Sequence, residues 1–316
     1  MNKGTLAATT LLAVCLVSTA NAGMNDIDVG VGGFIRFDYG NGDRYALDGD
    51  DHIGISKVAL ALSAKKDNVE VVFVLGSEPN SNTAGTGNVE TKDAFLVIHD
   101  AAPGLNFSLG AQPFLFGLKP NGYPSDRSII GSVEYGAGGA AGISGQAGPS
   151  AIAQYHIGSV ELRLGIFEGT GDVAASDNSL LQLRYSHPGS GGFYGVVGVE
   201  SLDGDKVSTL GLGFDMGMFD ISAEAFMLDQ DAVVKAGGNA VTDDETYTVL
   251  ELTYNSSANT SFYVDVSNAD VAEIDAVRVG AILKAESGLV YRLEWSSDEI
   301  GTESVDSVDF RVAFNF

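Results

Sequence analysis

The chain is poor in cysteine, proline, tryptophan and cationic side chains: one Cys, seven Pro, one Trp and seventeen Lys plus Arg in 316 residues. The single cysteine, Cys15, lies in an N-terminal segment that reads as removable, so Gly23 to Phe316 can hold no disulfide, no thiolate metal site and no thiol nucleophile. Forty-two carboxylates against those few cations give a formal net charge of -25. Such a surface repels nucleic acid, and nucleic-acid binding is set aside. Past the N-terminal segment there is no run of about 18 or more apolar residues, which excludes a membrane-spanning helix and leaves a spanning barrel open.

What is present points to strands. Forty-one glycines, scarce proline and plentiful Val, Tyr, Phe, Thr and Ser favour β structure. With 45% of residues hydrophobic, the chain is too apolar for a disordered acidic protein.

Residues 1–22 have the layout of a secretory signal: Lys3, an apolar stretch from Leu6 to Val17, and Ala20-Asn21-Ala22 before Gly23. Val14 in front of Cys15 does not supply the small residue of a lipoprotein cleavage site. The expected domains are therefore a signal peptide at 1–22 and one β-barrel domain at 23–316.

Sixteen segments of period-two hydrophobicity run from Asp28 to Phe316, most of them about eight to twelve residues, near the ~9–11 that a tilted strand needs to cross a bilayer. Their connections alternate. Short turns such as Lys66-Asp67-Asn68, Gly158-Ser159 and Glu286-Ser287-Gly288 join each even strand to the next, and mostly longer segments such as Gly40 to Asp51, Pro113 to Ser150 and Ser297 to Glu303 join the odd ones. All turns of one class then project from one end, the sidedness of an outer-membrane barrel.

Parity assigns the faces. Leu162, Leu164 and Ile166 alternate with Glu161, Arg163 and Gly165; Leu181, Leu183 and Tyr185 with Gln182 and Arg184; Tyr291, Leu293 and Trp295 with Arg292 and Glu294. One face suits lipid, and the other is too charged for a dry sandwich core, where an unpaired charge costs several kcal/mol. The strands around Val71 and Leu96 are apolar on both faces and stay ambiguous. Tyr39, Tyr155, Tyr185, Tyr254, Trp295 and Phe316 fall on the apolar face near expected strand ends, consistent with an interfacial aromatic girdle or with the ordinary β-preference of aromatics. The chain ends "VDFRVAFNF", with Phe310, Val312, Phe314 and Phe316 on one face up to the last residue.

With its signal segment, opening strand "GGFIRFDYG" (Gly32 to Gly40), sixteen strands and terminal Phe316, the chain resembles the general porins of Gram-negative outer membranes. The resemblance implies an all-β transmembrane antiparallel barrel of about 16 strands with a long third loop folded inward. It implies an outer-membrane location among lipid and lipopolysaccharide, a homotrimer, and a terminal pattern at Phe310, Val312, Phe314 and Phe316 that is read by the barrel assembly machinery. A second stretch, "LGAQPFLFGLKPNGYPSDRS" (Leu109 to Ser128), resembles the segment after the fifth strand of phosphate-selective porins, with Lys119 and Arg127 in place of a lysine cluster.

The longest connection, Pro113 to Ser150, is the candidate constriction loop, and Lys119, Asp126, Arg127 and Glu134 are its charged candidates. Arg36, Arg163, Arg184, Arg278, Arg292 and Arg311 have lumen parity, as do Asp38, Glu161, Glu224, Glu251, Glu294 and Asp309. A wall of mixed charge sets up a field that favours polar solutes, and the same residues also read as structural ion pairs. Arg36 and Arg311 stand on the strands that close the barrel. The loop carboxylates, including "DGDD" (Asp48 to Asp51), lack the spacing of a calcium loop and read as a solvated acidic rim. The four histidines, His52, His99, His156 and His187, are scattered, and no nucleophile elbow or zinc motif accompanies them. The expected function is a passive, water-filled channel for small hydrophilic solutes, without enzymatic activity, cofactor or metal. A substrate-selective channel for an anion or oligosaccharide, and a barrel scaffold for an outer-membrane enzyme or adhesin, are the alternatives.

Overall fold

Alternation of side chains at period two builds the whole molecule. A computed structural model describes residues 27–42, 52–77, 90–113, 116–118, 147–167, 178–187, 191–202, 204–230, 243–270, 274–300 and 303–316. Its strands in chain order are β1 (Asp28–Gly42), β2 (His52–Lys66), β3 (Val69–Ser77), β4 (Glu90–Ala102), β5 (Leu105–Pro113), β6 (Ala147–Ile157), β7 (Val160–Phe167) and β8 (Asn178–Ser186). They continue as β9 (Gly192–Leu202), β10 (Asp205–Asp215), β11 (Phe219–Leu228), β12 (Glu245–Ser257), β13 (Thr260–Ala269), β14 (Ile274–Lys284), β15 (Leu289–Ile300) and β16 (Glu303–Asn315). Each pairs antiparallel with its sequence neighbours, and β1 pairs with β16, giving a closed sixteen-stranded barrel without a free edge.

The closure depends on the chain terminus. β1 and β16 run in register from Phe34 opposite Asn315 to Gly42 opposite Ser307. Beyond the last strand residue, Phe316 N–H donates to Gly33 O at 3.1 Å and Gly33 N–H donates to Phe316 O at 3.0 Å. A Cβ on Gly33 would meet the Phe316 ring at 2.8 Å. Gly33 thus leaves room for the terminal ring.

The outer face is apolar around the circumference. Val31, Phe107, Leu164, Leu183, Val197, Leu212, Leu252, Val264, Val279, Leu293 and Phe310 are all exposed there. A soluble chain does not leave a continuous apolar band of this extent in water. The barrel spans a membrane by its strands. At the short-turn end, outward aromatics cluster: Phe219, Tyr254 and Phe262 stack at 4.9 and 6.4 Å, Tyr185 lies 6.5 Å from Phe193, and Phe314 lies 6.0 Å from Phe316.

Two expectations change. Trp295 lies mid-strand, because β15 continues to Ile300 rather than ending near Ser296. The same extension, with β16 beginning at Glu303, reduces the connection expected over Ser297 to Glu303 to residues 301–302. Polar strand extensions still satisfy their backbone groups through the ladder, so pairing continues past the apolar segment. For the ambiguous strands the register decides. Val71 faces outward at 48% exposure, and Glu70, Val72 and Val74 pair across β4 with Val97, Phe95 and Asp93 on the inner face.

Candidate functional site: the barrel interior

The interior buries more polar than apolar side chains. On β8, Leu181 and Leu183 point out while Gln182, fully buried, points in. The same alternation places Glu200, Thr209, Ser222, Glu224, Glu251, Asp265, Arg278, Glu294 and Asp309 on the inner wall.

The first turn of the long connection after β5 lies against that wall. Phe116, Gly117 and Leu118 are buried, and every backbone polar group of Gly117 and Leu118 is satisfied by a wall side chain. Gly117 N–H donates to Gln182 Oε1 at 2.8 Å, and Leu118 N–H donates to Glu224 Oε1 at 2.6 Å. Arg184 donates from its two terminal nitrogens to Gly117 O and Leu118 O, each at 2.8 Å. Thr209 Oγ1 steadies the clamp by donating to the same Glu224 oxygen at 2.7 Å.

Glycines make room for it. A Cβ on Gly198 would meet the Phe116 ring at 2.7 Å, and one on Gly211 would meet Leu118 Cβ at 2.9 Å. Gly117 itself adopts φ +97°, a backbone that side chains disfavour. Along the wall, β5 to β10 is five strand spacings, roughly 24 Å, whereas the five residues from Pro113 to Leu118 reach about 17 Å. Phe116 and Leu118 therefore meet β9 and β10 from the interior rather than along the wall.

Among the expected site residues, Arg184 is thus a loop clamp. Arg163 pairs with Glu161 at 2.9 Å on the same patch, where Glu161 also accepts from Gln154 at 2.7 Å. Arg292 and Arg311 stand directly opposite each other across β15 and β16, and Arg311 is in register with Asp38 of β1. Arg36, two residues away on β1, completes this seam group. Arg278 stands apart, donating to Asp298 at 2.8 Å, Ser267 at 3.1 Å and Asp265 at 3.4 Å. Lys119, Asp126, Arg127 and Glu134 lie outside the described residues, as do the signal segment and the Asp48 to Asp51 rim.

The clamp residues Gln182 and Thr209, and the seats at Gly198 and Gly211, were not singled out from the sequence. One signal was there: glycine at inner-face positions in the middle of strands marks a close approach by another backbone or ligand.

Charge on the wall is segregated. Across β9 to β13 the only Lys or Arg is Lys206, while Glu200, Asp220, Glu224, Glu245, Glu251 and Asp265 fall at inward positions. This acidic arc lies between the Arg163–Arg184 patch and the arginines of β14 to β1.

No family model and no curated protein matches the sequence. Solved structures do. A variant of the Rhodopseudomonas blastica porin superposes with a TM-score of 0.66 at 14% identity, covering 92% of this chain and all of that one. The fold is that of the outer-membrane porins. The trimer form of OmpT, an outer membrane protein of Vibrio cholerae, matches at TM-score 0.62 and 12% identity over 92% of this chain and 100% of its own. The DcaP outer membrane channel of Acinetobacter baumannii matches at 0.62 and 14%, covering 92% and 97%. The inner clamp on Phe116 to Leu118 gives this porin fold a third loop that starts inside the barrel.

Proposed function

We propose that this chain, after removal of residues 1–22, is an outer-membrane channel that passes small hydrophilic solutes and ions by diffusion, with no reaction of its own. The observation that carries the reading is the pairing of a charged inner wall with the root of the third loop, Gly117 and Leu118, clamped against it by Arg184, Gln182 and Glu224. A scaffold barrel needs neither feature. A loop rooted in the interior narrows the passage without a moving part, and residues 119–146 of that loop, with Lys119, Asp126, Arg127 and Glu134, are assigned to the constriction.

Arg36, Asp38, Arg163, Arg278, Arg292 and Arg311 are assigned to the channel lining. The acidic arc favours cations over anions, which argues against phosphate as the preferred solute. Lipid and lipopolysaccharide surround the apolar band, and three copies assemble, in line with the trimer form of the similarly folded Vibrio cholerae protein. Phe310, Val312, Phe314 and Phe316 present the terminal strand to the assembly machinery.

Single-channel recording of the purified barrel in a planar bilayer, under a salt gradient, tests this. Discrete conductance steps with a cation-selective reversal potential are expected. A folded barrel that never conducts would refute the channel reading.

A further inference from the structure

A charge on the lipid face of a barrel is costly, yet one outer cross-strand row of this barrel ends in a lysine. Leu109 of β5, Ala151 of β6, Ile166 of β7, Ser179 of β8, Ser201 of β9 and Lys206 of β10 stand opposite one another in turn. The row lies on the outer face: Leu109 and Ile166 are 48% and 60% exposed, and Val207, beside Lys206 in the chain, points inward at 0%. It also descends into the apolar band. Ser179, Ser201 and Lys206 each stand one residue inside the loop end of their strands, whereas Leu109 and Ala151 stand four residues inside.

A groove of about 580 Å³ follows this row. Its trough is Ala151 and Ala153, whose small side chains lie between Phe107 and Leu109 of β5 and Leu164 and Ile166 of β7. Those walls are two strand spacings apart, roughly 9–10 Å, wide enough for one hydrocarbon chain. Ser179, Ser201 and Lys206 line the loop end of the groove, and from Lys206 to Leu109 is roughly 24 Å.

The donors at that end are unmatched. Among the described residues the Lys206 ammonium forms no ion pair, and the Ser179 and Ser201 hydroxyls form no hydrogen bond. Asp229, just past β11 and on the far side of Lys206 from the groove, accepts from the Lys206 backbone N–H at 2.9 Å rather than from its ammonium. Asp205 falls on the inner face by its parity with Val207.

We propose that this groove holds one phosphate-bearing lipid of the leaflet at the loop end. Its phosphate lies on Lys206, Ser201 and Ser179, and one acyl chain runs along Ala151 and Ala153. An ammonium with two hydroxyls matches a phosphate in charge and in hydrogen-bond donors, and the aliphatic walls match the chain. A second copy of this barrel, laying its own apolar band here, would leave those three donors without partners away from water. The site is one lipid held in a fixed place, distinct from the annulus around the barrel, and it rests on the outer-membrane placement of the chain and not on conduction.

The test uses the full mature barrel folded in detergent and analysed by native mass spectrometry with dioleoyl phosphatidic acid or dioleoylglycerol, which share their chains and differ in the phosphate. Saturable retention of one phosphatidic acid per chain is expected, at a concentration at least about 10-fold lower than dioleoylglycerol requires, because the phosphate accepts from a charged donor. Lys206→Gln should bring phosphatidic acid down to the level of dioleoylglycerol. Ala153→Leu fills the trough without touching the donors and should weaken retention of both lipids.

Equal retention of the two lipids by the native chain would overturn the proposal, a result that needs no variant to fold. Retention that inorganic phosphate abolishes and Ala153→Leu leaves unchanged would make this a site for the free anion and overturn the lipid assignment. A change in the number of associated copies in Ala153→Leu, with lipid retention unchanged, would give the groove to a second copy. Conduction is read separately in the bilayer: a silent barrel that retains phosphatidic acid through Lys206 would refute the channel reading and leave this site standing, and a conducting barrel without that retention would refute the site alone.

Discussion

Replacing Arg184 with alanine isolates the clamp that holds Gly117 and Leu118, at the root of the third loop, against the inner wall. The guanidinium makes two hydrogen bonds, both 2.8 Å, to Gly117 O and Leu118 O. Hydrogen bonds from a charged donor contribute about 1.5–3 kcal/mol each. The lower end applies here, because carbonyls released into a wet lumen regain water. About 3 kcal/mol is then lost from the clamped state, roughly a 10²-fold shift toward release. Gln182, Glu224 and the seats at Gly198 and Gly211 remain, so the loop root is loosened rather than ejected. In bilayer recordings the expected result is a larger mean conductance with pronounced open-channel noise, as the root exchanges between held and released positions. Arg184→Lys should rescue only partly, since a single ammonium lacks the planar fork that serves two carbonyls at once. Lys66→Gln is the control: Lys66 ends β2 at a short turn, away from the clamp and the channel lining, and its conductance histogram should match the native one. If Arg184→Ala also matches in mean and noise, the clamp does not hold the loop and the reasoning fails.

The seats can be tested from the wall side. Gly198→Leu drives a side chain into the Phe116 ring and should reproduce the noisy, larger conductance with the barrel still folded, as judged by heat-modifiable mobility. Shortening the loop within 119–146 should raise conductance without added noise, because the root stays clamped; an unchanged pore would mean that the loop lies outside it. Deleting Phe316 removes both hydrogen bonds to Gly33 and the ring beside it, and should sharply lower the amount of assembled barrel in outer-membrane fractions; normal levels would count against a terminal assembly signal.

Strand number and the assignment of faces were legible in the sequence because both follow from local alternation. A residue such as Leu183 or Gln182 declares its side by its parity with its neighbours, and the outward Leu183 and inward Gln182 follow that parity. Strand ends were less legible. Ser297 to Glu303 carries polar residues that suit a loop, yet β15 and β16 continue pairing through most of it, since ladder hydrogen bonds do not require apolar side chains. The double-apolar strands β3 and β4 needed the register itself, because period two carries no information when Val71 and Val72 are equally hydrophobic.

The clamp was beyond sequence reading for a different reason. Arg184, Gln182 and Glu224 are separated from Gly117 and Leu118 by 65 to 106 residues, and no local pattern says which inner-wall side chains a crossing loop will touch. Glu224 illustrates the limit: its parity makes it a lumenal carboxylate available to a passing ion, whereas its position makes it the acceptor for Leu118 N–H and Thr209. A carboxylate already engaged by two donors is a weaker attractor for permeating cations than its charge suggests. The proposed cation preference therefore rests on the arc as a whole, where strands β9 to β13 hold inward carboxylates and their sole basic residue is Lys206, exposed at the loop end of β10. At ionic strengths where screening acts over about 8–10 Å, the carboxylates nearest the loop root dominate the field a solute meets. Replacing a carboxylate engaged in the clamp should then move conductance more than selectivity.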